Sequence, residues 1–154
     1  MIPLRFILIA AAWMLFVLNG GAAGELERFE MPAAEKPDIH LEVVPTDAAF
    51  RFVLTVANNT EHAMAFRFNT GQSYDFVVSA NSGAEIWRWS QERGFTQMIR
   101  DEQLAPKSKW TYEVVWDGRD NDYRAVPAGT YRVSAVVKSS PPYSAEPKEL
   151  KLGR

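Results

Sequence analysis

Two histidines and a few acidic clusters are the residues of this chain whose chemistry could support catalysis. His40 alternates with apolar residues on the polar face of a predicted strand, and His62 follows a turn sequence. A Ser-His-Asp site needs one histidine beside a serine and a carboxylate, and no nucleophile-elbow sequence is present. The chain has no cysteine, which excludes thiol nucleophiles and cysteine-based metal sites. We therefore expect no catalytic residues, and the chain is not predicted to be an enzyme.

A second chemical candidate is the acidic run from Asp117 to Asp122, which carries oxygen ligands at alternating positions as a calcium loop does. An EF-hand loop needs a glutamate at its twelfth position, and Ala128 stands there. The spacing of His40 and His62 matches no zinc-ligand pattern. The favoured interpretation is a polar turn, so the sequence predicts no metal and no cofactor.

A third candidate is a surface rich in aromatic side chains. Trp87 and Trp89 flank Arg88, and an unusually apolar loop follows. Tryptophan, arginine and methionine are enriched at protein interfaces, whereas burial of both tryptophans in the core is the alternative. A carbohydrate platform formed by the two tryptophans is a further alternative. The candidate partner-binding residues are Trp87, Arg88, Trp89, Phe95, Thr96, Gln97 and Met98.

The elements that must position these residues are predicted to be β-strands. Apolar and polar residues alternate with a period of two in residues 39–44, 50–56, 64–68, 74–78, 85–89, 110–116, 131–137 and 150–152. Residues 74–89 are predicted to form a hairpin that turns at Gly83, and residues 90–109 a long loop. Seven or eight short antiparallel strands favour a two-sheet immunoglobulin-like β-sandwich, with a closed barrel as the alternative.

The N-terminal segment predicts export. Arg5 precedes a run of 13 apolar residues and then small residues, which is the composition of a secretory signal peptide. We therefore expect a signal helix in residues 1–23, a linker in 24–38 and the folded domain in 39–154, located outside the cell or in the cell envelope. Contact with a membrane is expected only through the N-terminal segment, if it is uncleaved.

The charge distribution argues against a nucleic-acid partner. The formal net charge is −2, and acidic and basic residues are interspersed along the chain. A nucleic-acid-binding protein would instead carry a basic stripe or patch. A protein partner is the expectation that remains.

A distinctive order of motifs runs between Phe50 and Val137. The motif residues are Gly71, Gln72, Tyr74, Asp75 and Phe76, the Trp87–Ser90 and Phe95–Gln97 runs, Trp116, Pro127, Gly129 and Tyr131. This order resembles the BsuPI-type intracellular proteinase inhibitor domain. The resemblance implies an immunoglobulin-like fold and inhibition of bacterial serine proteases of the subtilisin type by surface complementarity, without a cofactor. It marks no reactive residue, and the matching residues are expected to be structural.

Function is therefore predicted as an exported inhibitor-like binding domain whose contact surface is residues 90–99, supported from below by Trp87 and Trp89. A non-inhibitory immunoglobulin-like binding or assembly module of the bacterial cell envelope is the alternative. It rests on the run from Trp116 to Gly118 and the run from Pro127 to Tyr131, which together also resemble a hairpin of flagellar hook-capping proteins.

Overall fold

The computed structural model describes residues 35–153, and this part of the chain contains ten β-strands and no helix. The strands are β1 Asp38–Pro45, β2 Phe50–Ala57, β3 Met64–Phe68, β4 Tyr74–Ala80, β5 Glu85–Arg88, β6 Arg100–Leu104, β7 Lys109–Trp116, β8 Gly129–Val137, β9 Tyr143–Ser144 and β10 Lys148–Leu152. Eight of them lie where alternation predicted a strand, and β6 and β9 are additional.

The predicted hairpin at residues 74–89 is confirmed. Strands β4 and β5 pair antiparallel, with Val78 opposite Trp87. Gly83 closes the turn at a φ of 89°, a left-handed conformation that glycine adopts without a steric penalty. Its amide donates to the carbonyl of Ala80 at 2.9 Å. The register of the hairpin places Asp75 and Phe76 of β4 beside Trp89 and Ser90, the two residues that follow β5.

The strands form three antiparallel sheets. One has the order β1-β2-β7, a second has the order β10-β8-β4-β5 with β9 beside β8, and β3 pairs with β6. These sheets do not close into a barrel, so that alternative is wrong for the described residues. Sheet formation follows the sequence directly, because every second residue of β2 is buried, as in Phe52, Leu54 and Val56.

Side chains of the two larger sheets meet in one core. The ring centroid of Phe52 on β2 lies 6.0 Å from that of Phe76 on β4 and 6.3 Å from that of Trp87 on β5. Trp116 on β7 lies 6.2 Å from Trp87. Phe52, Phe76 and Trp116 are almost completely buried, so aromatic packing joins the sheets beneath the β4–β5 hairpin.

The prediction that residues 90–109 form one loop is wrong for β6. Of the five residues of β6, only Leu104 is buried, so no apolar alternation marks the strand. Its partner β3 provides the buried face, through Met64, Phe66 and Phe68. The buried side chain of Asn58 holds the end of β6, since its amide nitrogen donates to the carbonyl of Leu104 at 3.0 Å.

The predicted signal helix in residues 1–23 and most of the linker in 24–38 lie outside the described residues. Within residues 35–153, no helix is long and apolar enough to cross a membrane. The first strand of the described residues is β1, which begins at Asp38.

Candidate functional site

Asp75 is the centre of a buried polar cluster at the end of the β4–β5 hairpin. Its side chain is 2% exposed, although a carboxylate is rarely buried unless it is paired. The Oδ2 atom accepts from Nη1 of Arg88 at 2.9 Å and from the hydroxyl of Ser90 at 2.6 Å. The Oδ1 atom accepts from the backbone amides of Phe76 and Ser90. The carboxylate is therefore fully engaged inside the protein.

Arg88 and Asn121 complete this group, which we call the Asp75 cluster (Asp75, Glu85, Arg88, Ser90 and Asn121). Arg88 donates to both carboxylate oxygens of Glu85, at 2.9 and 2.5 Å. The pKa of Arg88 is raised, chiefly by its hydrogen bond to Glu85 and further by that to Asp75. Asn121 accepts from the backbone amide of Arg88 at 2.7 Å and donates to its carbonyl at 2.9 Å. These bonds cap the free edge of β5.

A column of stacked side chains runs beside the cluster. The rings of Tyr74 and Trp89 stack with centroids 4.4 Å apart, and Tyr74 stacks on Tyr112 at 4.5 Å. The guanidinium carbon of Arg93 lies 4.5 Å from the centroid of the Trp89 ring. Burial, reinforced by the carboxylate of Glu102, raises the pKa of Tyr112 to about 12. The column anchors the start of the loop between β5 and β6.

We call residues 91–99 the β5–β6 loop. Thr96 fixes its middle to the segment before β4, because the amide of Gly71 donates to the carbonyl of Thr96 at 2.8 Å. A Cβ on Gly71 would lie 2.6 Å from the Thr96 hydroxyl and 3.2 Å from its amide nitrogen. The approach is so close that only glycine fits at position 71 without a displacement.

Arg100 fixes the far end of the loop. Its guanidinium carbon lies 5.0 Å from the centroid of the Phe68 ring. Its Nη2 atom donates to the hydroxyl of Ser73 at 2.9 Å, and its Nη1 atom pairs with Glu102. The side chain is thus held by an aromatic face, a hydroxyl and a carboxylate at once.

Between these two anchors lies an exposed tripeptide, residues 97–99. Met98 and Ile99 are each 57% exposed. Among the described residues, backbone hydrogen bonds outside the strands reach the loop at Gln91, Arg93 and Thr96, and none involves the tripeptide. Two large apolar side chains are therefore held in solvent by a backbone that is fixed on both sides, a composition typical of a protein-binding loop.

The candidate partner-binding residues divide between this loop and its support. Phe95, Thr96, Gln97 and Met98 lie in the loop, and Phe95 packs against Trp89 at 5.9 Å. Trp87 is half-buried against the core aromatics, and Arg88 belongs to the Asp75 cluster. Trp89 carries Tyr74 and Arg93 as its stacking partners, so the two tryptophans do not form the exposed coplanar platform that a carbohydrate site requires.

The remaining motif residues lie in the framework. Gln72 donates to the carbonyl of Tyr74 at 3.1 Å, and Phe76 and Trp116 are core residues. The hydroxyl of Tyr131 donates to the carbonyl of Pro127 at 2.7 Å. Gly129 lies against the Tyr131 ring, since a Cβ at position 129 would be 3.6 Å from the nearest ring atom. Tyr131 thus holds the start of β8 and its preceding loop through Pro127 and Gly129.

Apart from Asn121, which bonds to Arg88, the acidic run from Asp117 to Asp122 forms local turn contacts. Asp120 accepts from the backbone amides of Asp122 and Arg124, both at 2.9 Å. Asp122 pairs with the Arg124 side chain at 2.9 Å. Within residues 35–153, no three acidic, histidine or cysteine side chains are grouped as metal ligands would be.

Sequence reasoning missed the roles of the two arginines that border residues 94–99. Arg93 lies within the predicted contact range 90–99 but is not among the named partner-binding residues, and Arg100 lies outside that range. A usable signal is present, because residues 94–99 carry no charge and are flanked on both sides by arginine. Arg93 contacts Trp89, four positions earlier in the chain, whereas the contact of Arg100 with Phe68 joins residues far apart in the sequence.

Comparison with known families supports the resemblance drawn from the motifs. A family model described as BsuPI, intracellular proteinase inhibitor, matches residues 37–142, which is more than half of the chain. The match confirms that resemblance. Proteinase inhibitors are not enzymes, and their partners are proteins. No curated protein matches the chain.

Two solved structures have limited similarity. The β-glucosidase DesR from Streptomyces venezuelae, in complex with D-glucose, has 14% identity and a TM-score of 0.41; the alignment covers 76% of this chain and 15% of that chain. A protein from Archaeoglobus fulgidus has 14% identity and a TM-score of 0.34, with 78% of this chain and 98% of that chain covered. Likeness at this level carries no inference about function.

The family description corrects the predicted location. It reads intracellular, so the prediction of a secreted or cell-envelope protein is wrong. That prediction depended on Arg5, the apolar run and the small residues within residues 1–23, and composition of this kind does not record whether a segment directs export. The envelope location in the assembly alternative depended on the same segment.

Proposed function

The chain belongs to the BsuPI family of intracellular proteinase inhibitors, and from that premise we propose that it inhibits a proteinase through its β5–β6 loop. An inhibitor of this kind needs a surface that a proteinase binds and no catalytic groups of its own. The partner is a protein, and no cofactor takes part.

One observation carries the proposal: residues 97–99 are exposed and include the large apolar side chains of Met98 and Ile99, whereas the residues on either side are fixed. Thr96 is held by Gly71 at 2.8 Å, and Arg100 is held by Ser73 at 2.9 Å. A loop that is ordered before binding loses less conformational entropy when it binds. Proteinase–inhibitor pairs are among the tightest protein complexes for their interface size, which is consistent with such preorganisation.

The support under the loop follows from the same contacts. Trp89 packs on Tyr74 on one side and carries Arg93 and Phe95 against its ring. Trp87 packs on Phe52 and Trp116 in the core. We assign both tryptophans, with Arg88, to positioning the loop, and we assign direct contact to Thr96, Gln97 and Met98.

The proposed target is a serine protease of the subtilisin type, which the motif resemblance implies. An active-site cleft that binds peptide substrates accepts an exposed, irregular segment more readily than a regular strand whose backbone is already paired. Apolar Met98 and Ile99 suit a protease that selects apolar residues. Surface complementarity alone would hold the complex.

We also propose that residues 39–154 form an immunoglobulin-like sandwich. Two features support this architecture: the β1-β2-β7 and β10-β8-β4-β5 sheets meet through Phe52 and Phe76, and Tyr131 bonds back to Pro127 four residues upstream. A tyrosine bonded to the backbone a few residues earlier recurs in immunoglobulin-like domains as the tyrosine corner.

The test is inhibition of purified proteases by the full chain. A panel would contain subtilisin-type, trypsin-type, cysteine and metalloproteases, each assayed over a range of inhibitor concentrations. We expect nanomolar inhibition of a subtilisin-type enzyme. A variant with residues 97–99 replaced by Gly-Ser-Gly should lose it, and Val115→Ala, which changes an exposed side chain on β7, should retain it.

Two results would contradict the proposal. If every protease of the panel keeps its full activity at micromolar concentrations of the chain, the chain is not an inhibitor of these proteases. Equal inhibition by the wild-type chain and the Gly-Ser-Gly variant would keep inhibition but place the contact surface elsewhere. Circular dichroism of each variant would establish that it is folded.

A further inference from the structure

Large apolar side chains are seldom exposed in residues 35–153, and two of them are adjacent in one segment. The strongly exposed ones are Met98, Ile99, Val115 and Tyr123. Val115 lies within a paired strand, and the hydroxyl of Tyr123 donates to Glu92. Met98 and Ile99 lie instead in the irregular tripeptide between two anchors, where a partner can surround them.

The charge pattern around this pair restricts the pocket that could receive it. Residues 94–99 contain no charged side chain, and Arg93 and Arg100 border them. Both arginines have partners within the protein. The guanidinium of Arg93 lies over the Trp89 ring, and that of Arg100 donates to Ser73 and pairs with Glu102. The segment offers no basic side chain to an acidic pocket and no acidic side chain to a basic one. The pocket that it fits is apolar.

Met98 suits an apolar pocket better than either of its neighbours, Gln97 and Ile99. Methionine is unbranched and has three rotatable bonds, so its side chain can enter a deep slot and adapt to it. Ile99 is branched at Cβ and restricted at χ1, and it directly precedes the tethered Arg100. On the other side, Gln97 would have to desolvate an amide in an apolar pocket.

We propose that Met98 is the specificity-determining residue, the side chain that fills the primary apolar pocket of the target protease. The proposal rests on the proposed inhibitory function and adds which residue selects the enzyme. The target class is a protease that cleaves after large, uncharged apolar residues. A protease that requires lysine or arginine is not a target of the wild-type chain.

The experiment measures inhibition constants of the full chain and single variants against a subtilisin-type and a trypsin-type protease. Met98→Ala should weaken inhibition of the subtilisin-type enzyme about 100-fold, the effect expected for truncating a central buried side chain at an interface. Met98→Lys should lose that inhibition and gain inhibition of the trypsin-type enzyme. Val115→Ala should stay within about twofold of wild type, as surface contacts outside an interface do.

The outcomes separate this assignment from the broader proposal. If the wild-type chain inhibits and Met98→Ala inhibits equally well, the assignment of Met98 is wrong and the inhibitory function stands. If Ile99→Ala produces the large loss instead, Ile99 is the selecting residue and the Met98 assignment is again wrong. If the wild-type chain inhibits neither enzyme, the inhibitory function fails and the assignment fails with it.

Discussion

The Asp75 cluster and the exposed tripeptide at residues 97–99 are close in sequence and opposite in construction. Both oxygens of the Asp75 carboxylate are used inside the protein, whereas Met98 and Ile99 direct apolar surface to solvent. The most distinctive motif residues therefore build the framework. In our proposal, recognition belongs to the exposed tripeptide, in which Met98 and Ile99 lie outside the matched motif. Such an arrangement would let one fold carry different specificities.

Removing the cluster's central carboxylate should have the largest effect. Asp75→Ala leaves Arg88 without its buried partner and removes the acceptor of two backbone amides. We expect a loss of about 3 kcal/mol in the free energy of unfolding, because the backbone amides of Phe76 and Ser90 are left without their buried acceptor. Urea denaturation followed by tryptophan fluorescence would measure it.

The control for this change is Asp75→Asn, which keeps the side-chain shape and should cost less. If Asp75→Ala unfolds with a loss under about 1 kcal/mol, the cluster is not a framework element. We also expect the folded Asp75→Asn variant to inhibit the protease as strongly as the wild-type chain does. The Asp75 carboxylate is buried, so it is not available to contact the protease.

Gly71→Ala should disturb the link between framework and loop. Its Cβ would lie 2.6 Å from the Thr96 hydroxyl, and overpacking of this kind costs about 2 kcal/mol. We expect lower stability, measured by urea denaturation, together with weaker inhibition, since Thr96 must move. Gly94→Ala is the matched control in the same loop, because a Cβ there meets nothing within 4 Å.

A second change sharpens this prediction. Thr96→Ala removes the hydroxyl that clashes, so in the Gly71→Ala background it should recover part of the lost stability. Free energies of unfolding of the two single variants and the double variant would measure the coupling. Independent, additive losses would mean that the contact between Gly71 and Thr96 does not set the loop position.

Alkaline pH should weaken the aromatic column. The pKa of Tyr112 is about 12 in the folded chain against an ordinary value of 10.0, so the folded state binds more protons than the unfolded state between these values. The free energy of unfolding should therefore fall as pH rises through that interval. Urea denaturation at a series of pH values would show the slope, and Tyr112→Phe should reduce it. An unchanged slope in that variant would contradict the assignment.

The smallest effect is expected for Arg93→Ala. The guanidinium over the Trp89 ring belongs to a solvent-exposed residue, and a cation–π contact at such a site contributes about 0.5 kcal/mol. Urea denaturation against the exposed control Lys138→Ala would resolve it. A loss of several kcal/mol in the free energy of unfolding would mean that Arg93 belongs to the framework. The framework would then extend into the β5–β6 loop.

Strand positions could be predicted from the sequence because alternation is a local property. Phe52, Leu54 and Val56 show it in β2, and the hairpin at Gly83 follows from a glycine between two such runs. Strand β6 could not be predicted in this way, because Leu104 is the only buried residue among its five. Its existence depends on pairing with β3, which lies more than 30 residues earlier in the chain.

The candidate site was predictable in part. The apolar character of residues 95–99 marked the loop, and the motif resemblance marked Asp75 without indicating its partners. The sequence could not supply the bond between Asn121 and Arg88, 33 positions apart, or the close approach of Gly71 to Thr96. These contacts arise only when separate strands are brought together by the fold.

The central claim is that the β5–β6 loop is the surface a protease covers. Amide hydrogen exchange of the full chain, alone and with a saturating amount of the subtilisin-type protease that it inhibits, tests this claim most directly. The account predicts new protection at residues 96–99, with little change in β7. Protection on β7 or β1 with residues 96–99 unchanged would contradict it.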